Sequence, residues 1–302
     1  MRRCRFPFGG DLNARSGLDV MLGALSEALR RDPRFVPMDD RPPADGEIDW
    51  HPVLSPRLLT DIRAGATCAI GPNVLYGHSQ APGATEAERE VMACRGYAAV
   101  FTFSRWYSEL LRLTMTQRVR HVLLDFPLPL MWTQLPWNAP RERSAMVFLK
   151  GGEAERRIAG GIASRHPDAL VIEYGRYARD ALLDAARRSA VCYYVCREEH
   201  FGIAAVEIAL MGCPIISDEK ACPTVAHGIT GRLAPVRERD TRAPFAWASD
   251  AAERLCDEFD AARRLDRQFI RRAVLVRHDP QSAVAKIATA LHLEGGVDGV
   301  TT

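Results

Sequence analysis

The stretch REEHFGIAAVEIALMGCP, residues 197–214, decides the fold because it joins a buried strand to a buried helix through a polar loop. The run before it, AVCYYVC (190–196), is typical of a strand in a parallel sheet, and GIAAVEIALM (202–211) is typical of a helix. Gly202 stands at the predicted start of that helix, just beyond the carboxyl end of the strand. Ligands of parallel sheets bind at this edge, where a helix N-terminus offers unpaired amides and a partial positive charge. The stretch therefore predicts an α/β fold with an anion site at Gly202.

Glu207 places a carboxylate inside the predicted helix, among apolar neighbours. The residues three and four positions away are all apolar: Ile203, Ala204, Leu210 and Met211. An ionised carboxylate in such a shell loses hydration that apolar groups cannot replace. We interpret Glu207 as pointing into a cleft, toward a hydrogen-bond donor of a ligand. The alternative is an ion pair with one of the arginines inside the fold.

Glu199 supplies a second acceptor beside the same helix. It lies in the loop, whereas Glu207 lies roughly 8 Å into the helix at a rise of 1.5 Å per residue. The two glutamates thus bracket the anion site at Gly202. Sugar hydroxyls are donors that carboxylates accept in pairs, so the pattern predicts a sugar on one side of a phosphate and a ribose on the other.

Composition limits the class of protein. With 302 residues, 47% hydrophobic and 26% charged, and a net charge of +2, the chain suits two globular domains without a preference for nucleic acid. No apolar run approaches the roughly 18 residues of a membrane span, and the opening MRRCRFPFGG lacks the apolar core of a signal peptide. We therefore expect a cytoplasmic protein. The eight cysteines show no CxxC spacing, which favours reduced core thiols over a zinc site.

Both halves of the sequence alternate strand patterns with helix patterns, which favours parallel sheets covered on both faces. The strand candidates are RRCRFPF, TCAIGPN, YAAVFTF and RHVLLDF in the first half, and AMVFLK, ALVIEY, AVCYYVC and CPIIS in the second. Residues 127–143 hold four prolines without a clean period, so we place the interdomain linker there. We predict domains over residues 1–134 and 135–277, and a terminal helix with a tail over 278–302 that packs back on the first domain.

Residues 198–235 resemble the donor-binding signature of retaining glycosyltransferases with the GT-B fold, of the family 4 kind. The shared features are the E-x7-E spacing of Glu199 and Glu207, the pair Phe201 and Gly202, MGCPII at 211–216, and TVAHGITGRLAP at 224–235. This resemblance implies two Rossmann-like domains whose parallel sheets face each other across a cleft. It also implies a donor substrate that is a nucleotide diphosphate sugar.

The resemblance assigns roles to individual residues. Glu199 would contact hydroxyls of the transferred sugar, Glu207 would hold the ribose, and amides near Gly202 and Ile203 would meet the diphosphate. The donor-binding residues it implies are Glu207, Gly202, Ile203, Phe201 and Gly10, the last in a Gly-Gly loop before the first long helix.

Three catalytic residues are expected: Glu199, Lys150 and His78. The family usually supplies an arginine and a lysine after the first strand of the second domain, where FLKGGE offers only Lys150. Arg156 or Arg157, on the next helix, would replace the arginine. The alternative for Lys150 is a solvated residue in a turn. His78 follows a strand candidate and is an acceptor or catalytic contact, or else an ordinary surface histidine.

Two further features bear on the substrates. Tyr174, Gly175 and Tyr177 could line a pocket for the base, although packing of the tyrosines at the strand end is the simpler interpretation. The predicted helix at residues 103–120 mixes arginines with apolar residues, which suits peripheral contact with an anionic membrane as well as an ordinary half-buried helix.

The resemblance thus implies a metal-independent retaining glycosyltransferase that needs no cofactor and acts on an unidentified acceptor. An epimerase or phosphorylase acting on related substrates is a second possibility. A third is a GT-B protein that binds a nucleotide sugar, or supports a partner transferase, without turnover.

Overall fold

The computed structural model describes residues 2–12, 17–74, 85–94, 96–115, 119–218, 220–238 and 246–293. The chain folds into two compact units. Unit 1 comprises Met1–Pro129 together with Asp279–Thr302, and unit 2 comprises Leu130–His278.

Unit 1 is built on a parallel sheet of six strands in the order β2-β1-β3-β4-β5-β6. These strands are β1 (Arg3–Phe6), β2 (Phe35–Pro37), β3 (Glu47–Val53), β4 (Cys68–Asn73), β5 (Tyr97–Thr102) and β6 (His121–Leu123). Its described helices are α1 (Gly17–Leu29), α2 (Pro56–Arg63), α3 (Glu86–Ala93), α4 (Arg105–Thr114) and α12 (Pro280–Ala290). A parallel sheet needs crossover connections, and these helices supply them and cover the sheet.

The end of the chain belongs to unit 1. Helix α12 begins with Pro280 after an Asp279 cap, whose carboxylate accepts the Ser282 amide at 2.7 Å. It packs against α1, and Arg120 donates to the carbonyl of Ala290 at 3.1 Å. The terminal helix is thereby tied both to a helix and to the strand edge of the first unit.

Unit 2 is built on a parallel sheet of five strands in the order β11-β10-β9-β7-β8. These strands are β7 (Arg143–Lys150), β8 (Leu170–Glu173), β9 (Ser189–Cys196), β10 (Ile215–Ser217) and β11 (Gly231–Leu233). Its helices are α5 (Leu130–Thr133), α6 (Glu153–Arg165), α7 (Arg179–Arg188), α8 (Ile203–Leu210), α9 (Ala251–Asp257), α10 (Phe259–Arg263) and α11 (Arg267–Arg277).

Helix α8 lies in the core of unit 2. Every residue from Ala204 to Leu210 is buried, and the helix packs against α7, α11 and β10. A helix that is apolar on all sides has no solvent face, so burial on all sides is the expected result. Glu207 is the one ionisable residue of α8. The groups around its carboxylate therefore determine how a charge can be buried in this helix.

Strand β3 was missed by the sequence patterns although it is central in unit 1. Its sequence EIDWHPV contains charged and polar residues that break the apolar run expected of a central strand. Asp49 is nevertheless fully buried, because the Arg5 guanidinium on the neighbouring strand donates to its carboxylate, at 2.5 Å from Nη2. The ion pair replaces the lost hydration and allows two charges inside the sheet.

Candidate functional site

The site lies at the carboxyl edge of the sheet in unit 2, where β7 and β9 end side by side. Lys150 and Cys196 are paired across these two strands at their last residues. Lys150 Nζ lies 2.7 Å from Glu199 Oε2, in the loop that follows β9. The structure thus brings together two of the three residues that the sequence predicts to be catalytic. Lys150 is three-quarters buried and paired, unlike a solvated turn residue.

Three contacts fix the orientation of Glu199. The Tyr194 hydroxyl donates to Oε2 at 3.3 Å, and the His200 amide donates to Oε1 at 3.1 Å. The Glu199 amide itself donates to the Lys220 carbonyl at 2.9 Å. Lys150 also lies 4.8 Å above the ring of Tyr174, a cation–π contact. The result is a preorganised pair of opposite charges at the edge of the sheet.

Gly202 caps the N-terminus of α8 in the left-handed conformation, with φ of 68°. A β-carbon here would also lie 3.2 Å from Thr224 Oγ1, so both backbone and space favour glycine. Because Gly202 has no side chain to accept hydrogen bonds, it leaves the first amides of α8 without a capping acceptor of its own. Phe201 and Ile203, on either side, are half-buried. This arrangement suits an anion at the helix N-terminus.

Glu207 is buried, and it has a charged partner inside unit 2. Arg179 Nε lies 2.5 Å from Glu207 Oε1, so the carboxylate has an arginine partner inside the fold. Burial raises the pKa of Glu207, while the charge of Arg179 opposes that shift. Arg179 was not found from the sequence because it lies 28 residues earlier in the chain, at the start of a different helix.

Aromatic residues surround this pair. The Arg179 guanidinium lies 4.1 Å above the ring of Trp132, in α5. Tyr174 and Tyr177 both stand edge-on to Phe148, at 6.4 and 5.9 Å between ring centroids. Burial raises the pKa of Tyr177, and the neighbouring carboxylate of Glu207 adds to the shift. The tyrosines therefore pack at the strand end while bordering the same edge of the sheet as Lys150. Gly175 makes the turn between them, with φ of 80°.

Arg156 and Arg157, considered as phosphate ligands, lie on α6. Arg156 Nη2 donates to Glu173 Oε1 at 2.8 Å and its side chain is more than half exposed. Arg157 is exposed. The contact with Glu173 does not tie Arg156 to Lys150 or Glu199.

A further network, missed from the sequence, supports the loops of the site. Glu155 accepts the Gly152 amide at 2.8 Å and Trp247 Nε1 at 2.7 Å. Burial opposes the ionisation of Glu155, but these hydrogen bonds outweigh it and lower the pKa. Arg237 lies 3.6 Å above the Trp247 ring and donates to the Cys196 carbonyl at 2.8 Å. The network holds the loop after β7 against the end of β9.

The remaining predicted residues lie in unit 1. His78 lies outside the described residues. Gly10 has φ of 88°, and a β-carbon there would come within 2.2 Å of the Gly23 amide nitrogen. Gly10 is thus required for close approach of its loop to α1.

One group of potential metal ligands occurs in the described part of unit 1: His51, Asp61 and Cys68, with ligand atoms within 4.8 Å of one another. Arg57 Nε lies 2.9 Å from Asp61 Oδ1, and His51 Nε2 lies 3.0 Å from Oδ2. These contacts already engage Asp61, and burial raises the pKa of the Cys68 thiol to about 12. We interpret the group as a buried polar cluster that joins α2 to β3 and β4.

Known structures resemble this chain over most of its length. HepE of Anabaena, in complex with UDP and glucose, has a TM-score of 0.61 at 10% identity, covering 97% of this chain and 100% of that one. The chain has the GT-B fold. A mutant of S. aureus TarM, in complex with fondaparinux, α-GlcNAc-glycerol and UDP, has a TM-score of 0.57 at 8% identity, covering 90% of this chain and 59% of TarM. This GT-B chain therefore spans less than two thirds of TarM.

A third similar structure matches residues in both units. Sucrose-phosphate synthase of Thermosynechococcus elongatus has a TM-score of 0.53 at 14% identity, covering 97% of this chain and 99% of that one. No protein-family model and no curated protein matches this sequence. Among the described residues of this GT-B chain, none of the helices has the length and apolar character needed to cross a bilayer.

Proposed function

We propose that the protein is a glycosyltransferase that moves a sugar from a nucleotide diphosphate sugar to an acceptor. The observation that carries this proposal is the Lys150–Glu199 pair, 2.7 Å apart, beside the glycine-capped N-terminus of α8. The GT-B fold supports it, because similar structures were solved with UDP and glucose (HepE) or with UDP and α-GlcNAc-glycerol (TarM).

When the donor binds, Lys150 and Glu199 would each exchange the other for a group of the donor. The diphosphate would bind the first amides of α8 and form an ion pair with the ammonium of Lys150. Glu199 would then accept hydrogen bonds from hydroxyls of the transferred sugar instead of from Lys150. The internal pair thus keeps two buried charges satisfied until the donor replaces it.

The chemical step would be stabilised mainly by charge. As the bond between the anomeric carbon and the diphosphate oxygen breaks, negative charge grows on the diphosphate. Lys150 and the α8 amides face that charge. The oxygen of the acceptor hydroxyl forms the new bond to the anomeric carbon, and its proton passes to the departing diphosphate. We assign retention of configuration and independence from metal on the strength of the resemblance, and leave His78 as the candidate acceptor contact.

Binding of nucleoside diphosphates tests the proposal first. UDP, GDP, ADP and TDP would be titrated by calorimetry into chelator-treated protein. One or two should bind, and Lys150→Ala should weaken them. The matching nucleotide sugars would then be incubated with candidate acceptors, and the anomeric configuration of any product read by NMR. Absence of binding by all four nucleotides would overturn the proposal.

A second function is favoured by a specific observation. Glu199 and Glu207 each have an internal cationic partner, and a protein in which these pairs persisted with the donor bound would hold a nucleotide sugar without turning it over. Donor binding without transfer to any acceptor and without donor hydrolysis would favour this function. Conversion of the donor to an isomeric nucleotide sugar without acceptor would instead indicate an epimerase.

A further inference from the structure

Arg179 holds an unusual position next to Glu207. Its Nε donates to Glu207 Oε1 at 2.5 Å, and its guanidinium stacks on Trp132, which is fully buried. Its Nη2 is shielded from solvent and has no hydrogen-bond partner among the described residues. One quarter of the side chain remains exposed. The guanidinium is therefore fixed on two sides and carries an N–H group that has lost water without gaining an acceptor.

Such a group needs an explanation, because a desolvated donor of a charged side chain is costly when left without an acceptor. Folding alone does not require it, since the bond to Glu207 and the stacking on Trp132 are made through other parts of Arg179. A bound ligand with an oxygen acceptor would satisfy Nη2.

The ligand must suit both partners of the pair. Among the described residues, the hydrogen bond to Glu207 uses Oε1, so the carboxylate presents an acceptor beside the Nη2 donor. Two adjacent hydroxyl groups match this arrangement, because one can donate to the carboxylate while the oxygen of the other accepts from the guanidinium. The vicinal diol of a ribose has this chemistry.

We propose that Arg179 is a specificity-determining residue which, together with Glu207, selects donors with an intact ribose over deoxyribose donors. This inference rests on the proposed function and extends it from Glu207 to a residue that the sequence signature does not contain. Arg179 contributes the donor and Glu207 the acceptor of a two-point site. Loss of either ribose hydroxyl should leave one partner unsatisfied.

The test compares a ribonucleoside diphosphate with its 2′-deoxy and 3′-deoxy forms. UDP and its two deoxy forms are used, or the corresponding set for whichever nucleoside diphosphate the wild type binds. Dissociation constants are measured for wild type, Arg179→Ala and Arg179→Lys. Arg176→Ala is the matched control, because Arg176 is three residues earlier, three-quarters exposed, and pairs with Glu173 instead. Thermal unfolding verifies that each variant is folded.

We expect the wild type to bind each deoxy form roughly 10- to 100-fold more weakly than UDP, the usual range for a hydrogen bond to a charged group. In Arg179→Ala, UDP should bind more weakly than to the wild type. Removing the ribose hydroxyl that accepts from Arg179 should then cause no further loss of affinity. Arg179→Lys should preserve folding yet discriminate poorly, because an ammonium cannot bond Glu207 and the ribose in the same geometry. Arg176→Ala should behave as wild type.

Equal deoxy penalties in wild type and both Arg179 variants would overturn the inference and leave Arg179 a structural partner of Glu207. Unchanged UDP affinity in Arg179→Ala would do the same. If wild type binds no nucleoside diphosphate, the proposed function fails as well, so the wild-type titration separates the two failures.

Discussion

Lys150 Nζ and Glu199 Oε2 lie 2.7 Å apart although the two residues are 49 positions apart in the chain. They meet because β7 and β9 are neighbours in the sheet and end at the same edge. A diphosphate and a sugar hydroxyl would compete for these two groups. In the proposed function, the bond between Lys150 and Glu199 would therefore open when the donor binds.

Removing the ammonium should weaken diphosphate binding. For Lys150→Ala we expect roughly 10- to 100-fold lower affinity for the nucleoside diphosphate, since a charge-assisted hydrogen bond contributes about 1.5–3 kcal/mol. Lys150→Arg should recover part of it. Lys286→Ala is the control, because it removes the same charge from a half-exposed site in unit 1. Calorimetry on all three variants checks this, and equal losses in Lys150→Ala and Lys286→Ala would contradict it.

Neutralising the Glu199 carboxylate should affect turnover more than nucleotide binding. In Glu199→Gln the carboxylate that we propose contacts the sugar loses its charge, so turnover should fall on the order of 10²-fold while nucleotide affinity changes only a few-fold. Steady-state kinetics with the cognate donor would measure this. Glu198→Gln is the neighbouring control, also buried. The proposed role would not survive an unchanged turnover number in Glu199→Gln.

A methyl group at Gly202 should strain the start of α8. Gly202→Ala forces a left-handed backbone on an L-residue, which costs about 1–2 kcal/mol, and places the β-carbon near Thr224. Gly160→Ala in α6 should instead stabilise the protein by about 0.5–1 kcal/mol, because that exposed position has open space around it. Urea unfolding of both variants checks the opposite signs. A stabilising Gly202→Ala would show that the local conformation is wrong.

Acid should destabilise unit 2 through His200. Burial, together with the nearby Lys150, lowers the pKa of His200 to about 3, whereas an unfolded histidine titrates near 6.5. Between these values the unfolded chain binds more protons. The stability contribution is therefore complete above pH 6.5 and falls as the pH drops, by at most about 1.4 kcal/mol per pH unit.

His200→Gln should flatten this dependence between pH 6.5 and 5, where most carboxylates are still ionised. The exposed His227 provides the control variant His227→Gln. Denaturant midpoints across that range measure the slope. Parallel curves for wild type and His200→Gln would mean that His200 is not the titrating group.

Local patterns predicted much of unit 2 and less of unit 1. Strands β7 and β9 are near-continuous apolar runs, and α8 follows a glycine, so their types could be inferred from short-range sequence. Strand β3 could not, because Asp49 is compatible with a central strand only when Arg5 on the next strand neutralises it. A single sequence shows neither strand order nor such a partner.

Residue types and their spacing are enough to predict the alternation of strands and helices, the apolar character of α8 and the place of Glu199 and Gly202 at its start. These features extend over a few positions, which short-range sterics and burial control. The pairing of Glu199 with Lys150 and of Glu207 with Arg179 is visible only in the folded protein. Those choices depend on which strand ends and helix starts become neighbours in the folded sheet, where the energy of burying a charge selects the nearest opposite one.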